Sequence, residues 1–343
     1  MQLNDFDYEL PAELIAQQPA IQRDSSRLLV FDRLHATRRD RSFTDIVDYF
    51  DKGDVLVVND TRVMPARLIG RKPSGGRVEL LLVRQTGDDP ACWLAMTRSS
   101  KPLRPGTRLS FGTRLHAELL DEARQQFRRV RLEWQGELQD VLAEVGTLPL
   151  PPYIQREVES SDRERYQTVF ARHTGSVAAP TAGLHFTPQV LASLEAKGVL
   201  ISSVTLHVGP GTFLPVRVEN LDEHRMHCEQ YEVSEELAET VNRARSEGRR
   251  VIAVGTTSTR ALESACDATG MLQAGIGETE LFITPGYRFR LVDALVTNFH
   301  LPRSTLLVMV AAFAGHEQVL EAYRHAVAER YRFFSYGDCM LIV

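Results

Sequence analysis

The sequence predicts a mixed α/β main domain with an inserted small closed β-barrel, the main domain running over 1–64 and 151–343 and the barrel over 65–150. Three observations lead there. Between about 65 and 150 the runs PARLIGRK, GRVELLLVRQ, CWLAMTR, TRLSF, HAELL and FRRVRLEW follow one another, separated by Gly, Pro, Ser and Asp. Such short β-rich runs with no helical pattern between them suit a small barrel. From about 160 onward helical and strand patterns alternate, as in an α/β layer structure. Finally, DVLVVND at 54–60 is an apolar run ended by a polar turn, the pattern of a strand buried on both faces. It belongs with the later strands, so the barrel interrupts the main domain.

Each element has its own signal. ELQDVLAEV near 137–145 is the first helical stretch after the barrel runs. PQVLASLEAKG at 188–198 carries Pro near its start, where the missing N–H is harmless, and Gly at its stop; VLISSVTLHVG then reads as a strand. SEELAETVNRARSEG at 234–248 opens on Ser234 as N-cap and stops at Gly248, before the strand RRVIAVG. TTSTRALESA starts another helix, DALVTNF is a strand, and RSTLLVMVAAFAG is a buried helix.

Composition restricts the function classes. The 43% hydrophobic and 25% charged residues are those of an ordinary globular chain. Cys92, Cys228, Cys266 and Cys339 lie far apart with no CxxC pair, which points away from a disulfide framework or a cysteine-rich zinc site and toward a reducing compartment. The N-terminal segment lacks the basic patch and apolar run of a signal peptide, and LLVMVAAFA at 306–314 is too short for a bilayer. The expectation is a soluble cytoplasmic protein, monomeric and without a membrane partner. Its net charge of −5 is unevenly spread: Arg62 to Arg108 holds ten Lys and Arg against three acids, a window of +7 that leaves −12 elsewhere. A basic region on an acidic protein fits a polyanion-binding face, because cationic side chains release counterions from phosphates. A merely solvated charged surface fits as well.

Ligands of α/β domains collect at strand C-termini. Here NDTR (59–62), LHVGPGTF (206–213), VGTTSTR (254–260) and TNFHLP (297–302) each follow an apolar run, and APTAGLHFT (179–187) stands just before a helix. These segments read as walls of one pocket, with Gly183 allowing close approach of a ligand and Thr181 and His185 offering hydrogen bonds; a capping Thr and a core His are the bland alternatives. VGTTSTR puts Gly255 and three hydroxyls at a helix start, an anion-binding arrangement to which Arg260 adds charge. It is no Walker loop, and no GxGxxG occurs. HRMHCE gathers His224, His227, Cys228 and Glu229, but its spacing matches neither HExxH nor a CxxC ribbon, so no metal site is assigned.

FDYELPAELIAQQP, RDSSRLLV, LVVNDTRVMPARL, AAPTAGLHFT, LHVGPGTFLPV, AVGTTSTRALE, ETELFITPGYRF, TNFHLPRSTLL and YRFFSYGDCML together resemble the S-adenosylmethionine:tRNA ribosyltransferase-isomerase family of queuosine biosynthesis. The resemblance runs from residue 3 to the C-terminus, weakest over about 75–135, with Cys339 standing where the family's closing motif has Ala. It implies that S-adenosylmethionine donates its ribosyl group to the aminomethyl group of a 7-deazaguanine at the tRNA wobble position, giving epoxyqueuosine-tRNA, adenine and methionine. It also implies that no metal or other cofactor takes part, the donor being a consumed substrate. On that footing His185, His207, His300 and Glu229 are the candidate acids and bases. Asp60, Arg62, Thr181, Gly183, Thr256, Thr257, Ser258, Arg260 and Tyr336 are the candidate substrate contacts, and Arg71, Lys72, Arg77 and Arg84 the candidate tRNA contacts. Tyr153, Phe333 and Phe334 join Tyr336 as aromatics for stacking a splayed base or the adenine. Two other readings compete: a Rossmann-type methyltransferase, whose glycine-rich loop is missing, and a non-catalytic RNA-binding module, which leaves the polar strand ends without a role.

Overall fold

The computed structural model describes residues 1–343 except Gln125, Leu214, Pro215, Arg217 and the side chain of Phe213. The chain begins with a hairpin, β1 (Arg27–Asp32) and β2 (Thr37–Ser42), and then lays down β3 (Val55–Asn59). A short strand, β4 (Thr61–Val63), leads out to β5 (Arg67–Arg71), β6 (Arg77–Gln85), β7 (Cys92–Ser99), β8 (Arg108–Phe111), β9 (Leu115–Leu119) and β10 (Phe127–Trp134). Helix α1 (Leu138–Val145) and the two-residue β11 (Gly146–Thr147) complete this part. After α2 (Asp162–Arg165), β12 (His173–Ser176) runs parallel to β4 and ties the return path to the exit. The remainder comprises α3 (Pro188–Ala196), β13 (Leu200–Leu206), β14 (Glu229–Val233), α4 (Glu235–Ser246), β15 (Val251–Val254), α5 (Gly255–Ala265), β16 (Gly275–Thr279), β17 (Ala294–Asn298), α6 (Thr305–Ala314), α7 (His316–Ala328) and β18 (Cys339–Ile342).

The main sheet has nine strands in the order β16-β14-β13-β3-β15-β17-β18-β1-β2. Its centre, β13-β3-β15-β17, is parallel. Side chains alternate between faces along a strand, and here both faces are dry. Val55 and Val57 of β3, with Val251 and Ala253 of β15, face a core shared with α4, α5, α6 and α7. Leu56 and Val58, with Ile252 and Val254, face a second core built with Phe43, Phe186 and Val190 and Leu194 of α3. This burial on both sides explains why the central strands are continuous apolar runs.

The second sheet closes on itself. Its order β5-β6-β7-β10-β9-β8 returns through a β5–β8 pairing at Arg71 and Ser110, with β11 added beside β5. The inward residues, among them Leu68, Leu80, Phe111, Leu115 and Val130, form a separate core, and closure leaves fewer free edges to pair with other chains. Gly70 makes the closure possible: a Cβ there would lie 2.4 Å from the Ser110 carbonyl oxygen and 2.5 Å from the Phe111 ring.

Each barrel run lies on a strand and each segment read as a helix forms one. The sequence reading did not see β1, β2, β4, β11, β12, β14, β16, β18, α2 or α7. Strand β2, TRRDRS, is exposed along its whole length, and β16 is GIGET; neither has the apolar alternation that marks a strand. Among the described residues no helix is long and apolar enough to cross a membrane.

The Gly70 contact yields a test. Gly70→Ala pushes a methyl group into the β5–β8 seam and lowers stability by about 1–3 kcal/mol, the usual range for overpacking. Urea unfolding followed by tryptophan fluorescence reports on it, since Trp93 and Trp134 both lie in barrel strands.

Candidate active site

The carboxyl ends of β15 and β17 open on a small, half-open pocket. Helix α5 starts directly on β15, with Gly255 at φ +89° making the turn and no side chain capping the helix. Its first amides and positive dipole end are therefore available to a ligand. Thr256 and Thr257 line the cavity there, facing Thr181, Thr297, Asn298 and His300. Phe334 forms an aromatic wall; it adopts φ +73°, a strained backbone for a bulky residue, and packs edge-on against Tyr153 at 4.0 Å.

One amide organises this cavity. The Nδ2 of Asn298 donates to His185 Nε2 at 3.0 Å and lies 3.3 and 3.5 Å from the carbonyl oxygens of Phe334 and Asp338. Carbonyls only accept, so this side of the carboxamide is the nitrogen, and Oδ1 accepts from the Thr181 hydroxyl at 2.9 Å. It follows that Nε2 of His185 is unprotonated and that Nδ1–H donates to Ser26 Oγ at 2.8 Å. Burial, with help from Arg332 and Arg23, holds the His185 pKa down at about 3. Both ring nitrogens are occupied by protein partners, so the structure places His185 behind the pocket wall as a neutral brace. His300 is also buried, with a pKa pushed to about 3. Its Nε2 meets Thr297 Oγ1 at 2.8 Å, while Nδ1 has no partner among the described residues.

A second, larger cleft of about 840 Å³ lies between the barrel and the main sheet. His207 at the end of β13 lines it, with Arg62, Arg84, Gln139, Cys228 and Glu278. The Thr61 hydroxyl lies 2.8 Å from His207 Nδ1 and 3.4 Å from the His173 carbonyl oxygen. With its proton on that carbonyl, Thr61 accepts from Nδ1–H and leaves His207 Nε2 as a base. Burial, followed by the charge of His173, lowers the His207 pKa and keeps this base form at neutral pH.

Several expected site residues do other work. Glu229 is ion-paired with Arg260 and accepts from the Gly209 amide at 2.9 Å; Arg260 also donates to the Leu281 carbonyl, and both side chains are buried away from the two cavities. Ser258 turns back to the Val254 carbonyl at 2.8 Å. Gly183 is needed for packing, since a Cβ there would meet the Phe170 ring at 2.6 Å. Asp60 accepts from Thr205 at 2.7 Å and stands 3.7 Å from His173. Tyr336 gives its hydroxyl proton to Asp162 at 2.8 Å, and Phe333 is fully buried. The HRMHCE side chains diverge: His224 packs on Phe282 and His227 on Phe127. Among the described residues no group of three or more His, Cys, Asp and Glu is placed to hold a metal ion.

The basic window divides as well. Arg67 pairs with Glu79 and Arg108 with Glu133. Arg71, Lys72 and Arg77 sit at the β5–β6 turn, whereas Arg84 lines the cleft seven residues further along β6. That spacing is about 23 Å of strand, so the four do not form one patch.

The family model for "Queuosine biosynthesis protein" matches residues 3–342. The chain belongs to that family. It is 60% identical to the S-adenosylmethionine:tRNA ribosyltransferase-isomerase of Syntrophotalea carbinolica over the full length of both chains, and 57% identical to the protein of that name from an Anaeromyxobacter species, over 100% of this chain and 99% of the relative. A crystal structure of the S-adenosylmethionine tRNA ribosyltransferase of Thermotoga maritima superposes with a TM-score of 0.57 at 39% identity, covering 99% of this chain and 100% of the other. This chain is thus a queuosine biosynthesis enzyme, and its mixed α/β sheet with a closed barrel is a fold that a solved relative shares.

In this family member the sequence reading passed over Asn298, Thr297 and Ser335, although TNFHLP and YRFFSYGDCML contain them. Their only sequence signal was polarity next to an apolar run, which a turn residue shares.

The buried histidines set a pH dependence. The unfolded chain restores their ordinary value of 6.5. Between there and about 3 it binds more protons than the native state, so stability is fully present above pH 6.5 and falls as pH drops through that window. Each neutral histidine contributes up to about 1.4 kcal/mol per pH unit. His185→Asn should flatten the stability profile by about that slope; urea titrations between about pH 6 and 4 check it, and an unchanged slope counts against a buried neutral His185.

Proposed function

We propose that this enzyme transfers and isomerises the ribosyl group of S-adenosylmethionine onto 7-aminomethyl-7-deazaguanine at the wobble position of tRNA, giving epoxyqueuosine-tRNA, adenine and methionine. The observation that carries the reading is the 60% and 57% identity, over the full length, to relatives named S-adenosylmethionine:tRNA ribosyltransferase-isomerase; the acceptor base, its position and the products rest on the family resemblance of the sequence motifs. The geometry agrees with it. A cavity with an aromatic wall, hydroxyls and a helix N-terminus suits a nucleoside with a charged tail, and a wide cleft beside a basic barrel over 65–150 suits an RNA loop.

The sulfonium of the donor acidifies the adjacent 5′ carbon, so the reaction needs a base to remove that proton, loss of adenine, attack of the amine on the ribose and departure of methionine as the epoxide closes. His207 and His300 keep a ring nitrogen without a protein partner and line the two cavities. In this reading they carry the protons, whereas His185 and Glu229 hold the frame. Thr181, Thr256 and Thr257 orient the donor. The reaction is proposed to draw on no metal or further cofactor.

Three measurements test it. Incubation with S-adenosylmethionine, a chelator and tRNA bearing the aminomethyl base should release adenine and methionine; S-adenosylhomocysteine would mark a methyltransferase, and a strict need for a divalent ion would overturn the metal-free reaction. His207→Asn should keep the wild-type melting temperature and lose about a hundredfold or more in the rate of adenine release, the range for losing a general acid or base. Replacing Arg84 by Gln should weaken tRNA binding and flatten its salt dependence while donor affinity is kept. The same change at Arg71, Lys72 and Arg77 together reports on the separate patch at the far end of the barrel.

A further inference from the structure

Beside His185, which does not line the Thr256–Asn298 pocket, lies a smaller, half-open pocket lined by Arg23, Arg165, Ser26, Ser335, His185 and the ring of Tyr336. Ser335 borders both cavities, and no carboxylate side chain lines this one. Glu164 acts on Arg23 only from outside the lining. We infer that this cavity is an oxyanion subsite of the active site, built by two guanidinium groups and the Ser26 hydroxyl.

The inference follows from which protons are already committed. Because the Asn298 amide fixes the His185 tautomer, Ser26 Oγ accepts from Nδ1–H and keeps its own proton to donate. Ser335 Oγ accepts from Tyr153 and lies beside the buried Tyr166 hydroxyl. Arg23 is anchored to the carbonyls of Leu184 and Glu164 at 3.3 and 2.8 Å, and Arg165 to those of Ile21 and Ala20 at 3.0 and 2.6 Å. These bonds hold each guanidinium in place through neutral acceptors, and among the described residues neither is ion-paired. The Nε–H of Arg165 is buried with no acceptor among the described residues. Tyr336 has spent its proton on Asp162 and adds only its ring.

A pocket that offers donors and two fixed cations, without a carboxylate, selects a negatively charged oxygen group. Which oxyanion fills it rests on the function proposed above: the carboxylate of the donor's methionine portion or a phosphodiester of the tRNA.

The test separates the subsite from its source. Inorganic phosphate, titrated at constant ionic strength, should raise the melting temperature of the wild-type protein saturably. Arg23→Gln with Arg165→Gln should weaken that binding at least tenfold. Because those changes also remove anchoring bonds, Arg165→Lys is measured beside them; it keeps the charge but not the pair of bonds to Ile21 and Ala20, so its phosphate shift is read against its own melting temperature without phosphate, and it should lose phosphate affinity a few fold. No saturable phosphate effect on the wild type, or a Lys variant with full phosphate affinity, overturns the subsite whether or not the protein turns over its substrates. For the source, a drop in S-adenosylmethionine affinity that the decarboxylated donor does not share assigns the carboxylate. A weaker anticodon stem-loop complex, with a log–log salt slope reduced by about one per lost contact, assigns the phosphodiester. If both affinities stay at wild-type values, the cavity is no part of the active site. Intact phosphate binding in a protein that releases no adenine would count against the proposed reaction alone.

Discussion

The carboxyl ends of β3 and β17 bring polar backbone into the dry middle of the protein, and two buried carboxamides, Asn59 and Asn298, take it up. Asn59 donates to the Leu206 carbonyl at 3.0 Å and to Thr257 at 3.3 Å, and accepts from the amides of Thr61 and Leu206, both at 3.1 Å. It thereby joins the exit to the barrel, the end of β13 and the start of α5. Asn298 does the same between the Thr181 turn, His185 and the closing segment that holds Phe334. An apolar residue at either place would leave several buried groups unpaired, at about 1–3 kcal/mol each. Full satisfaction explains why loops from five separate stretches of chain meet in one rigid pocket.

Charge follows the same economy. Two buried ions of the frame are matched by opposite charge, in the Glu229–Arg260 and Arg156–Asp162 pairs, the latter bonded at 2.7 and 2.8 Å, while buried Glu263 is held by backbone amides instead. Where a histidine is buried it stays neutral. Cations that are not ion-paired among the described residues remain elsewhere: Arg84 at the cleft, Arg71 and Lys72 at the barrel tip, and Arg23 and Arg165 beside the pocket. A chain with a net charge of −5 therefore carries locally positive groups without being basic as a whole.

Much of the architecture was readable along the chain because it rests on local periodicity. Strands β3, β15 and β17 are apolar runs of four or five residues that can be buried only between two layers; the barrel strands alternate; Ser234 caps α4 by accepting from the Leu237 amide at 3.1 Å, and Pro188 starts α3. Of the candidate residues, Thr256, Thr257, His207 and His300 line cavities near strand ends, and Thr181 does so from a turn.

Only the tertiary structure decided which of those polar residues face a ligand. His185 closes the turn Thr181–His185 and His300 follows the apolar strand β17; one has both ring nitrogens taken by residues 113 and 159 positions away in the chain, and the other keeps one unpartnered among the described residues. Glu229 and Arg260, 31 residues apart, neutralise each other. Arg71 and Arg84 belong to one basic stretch of sequence but to opposite ends of a hairpin. Periodicity is a property of neighbours along the chain and was therefore written in the sequence. The protonation state and direction of a polar side chain depend on partners brought in from elsewhere, so they exist only once the sheet, the turns and the closing strand have assembled.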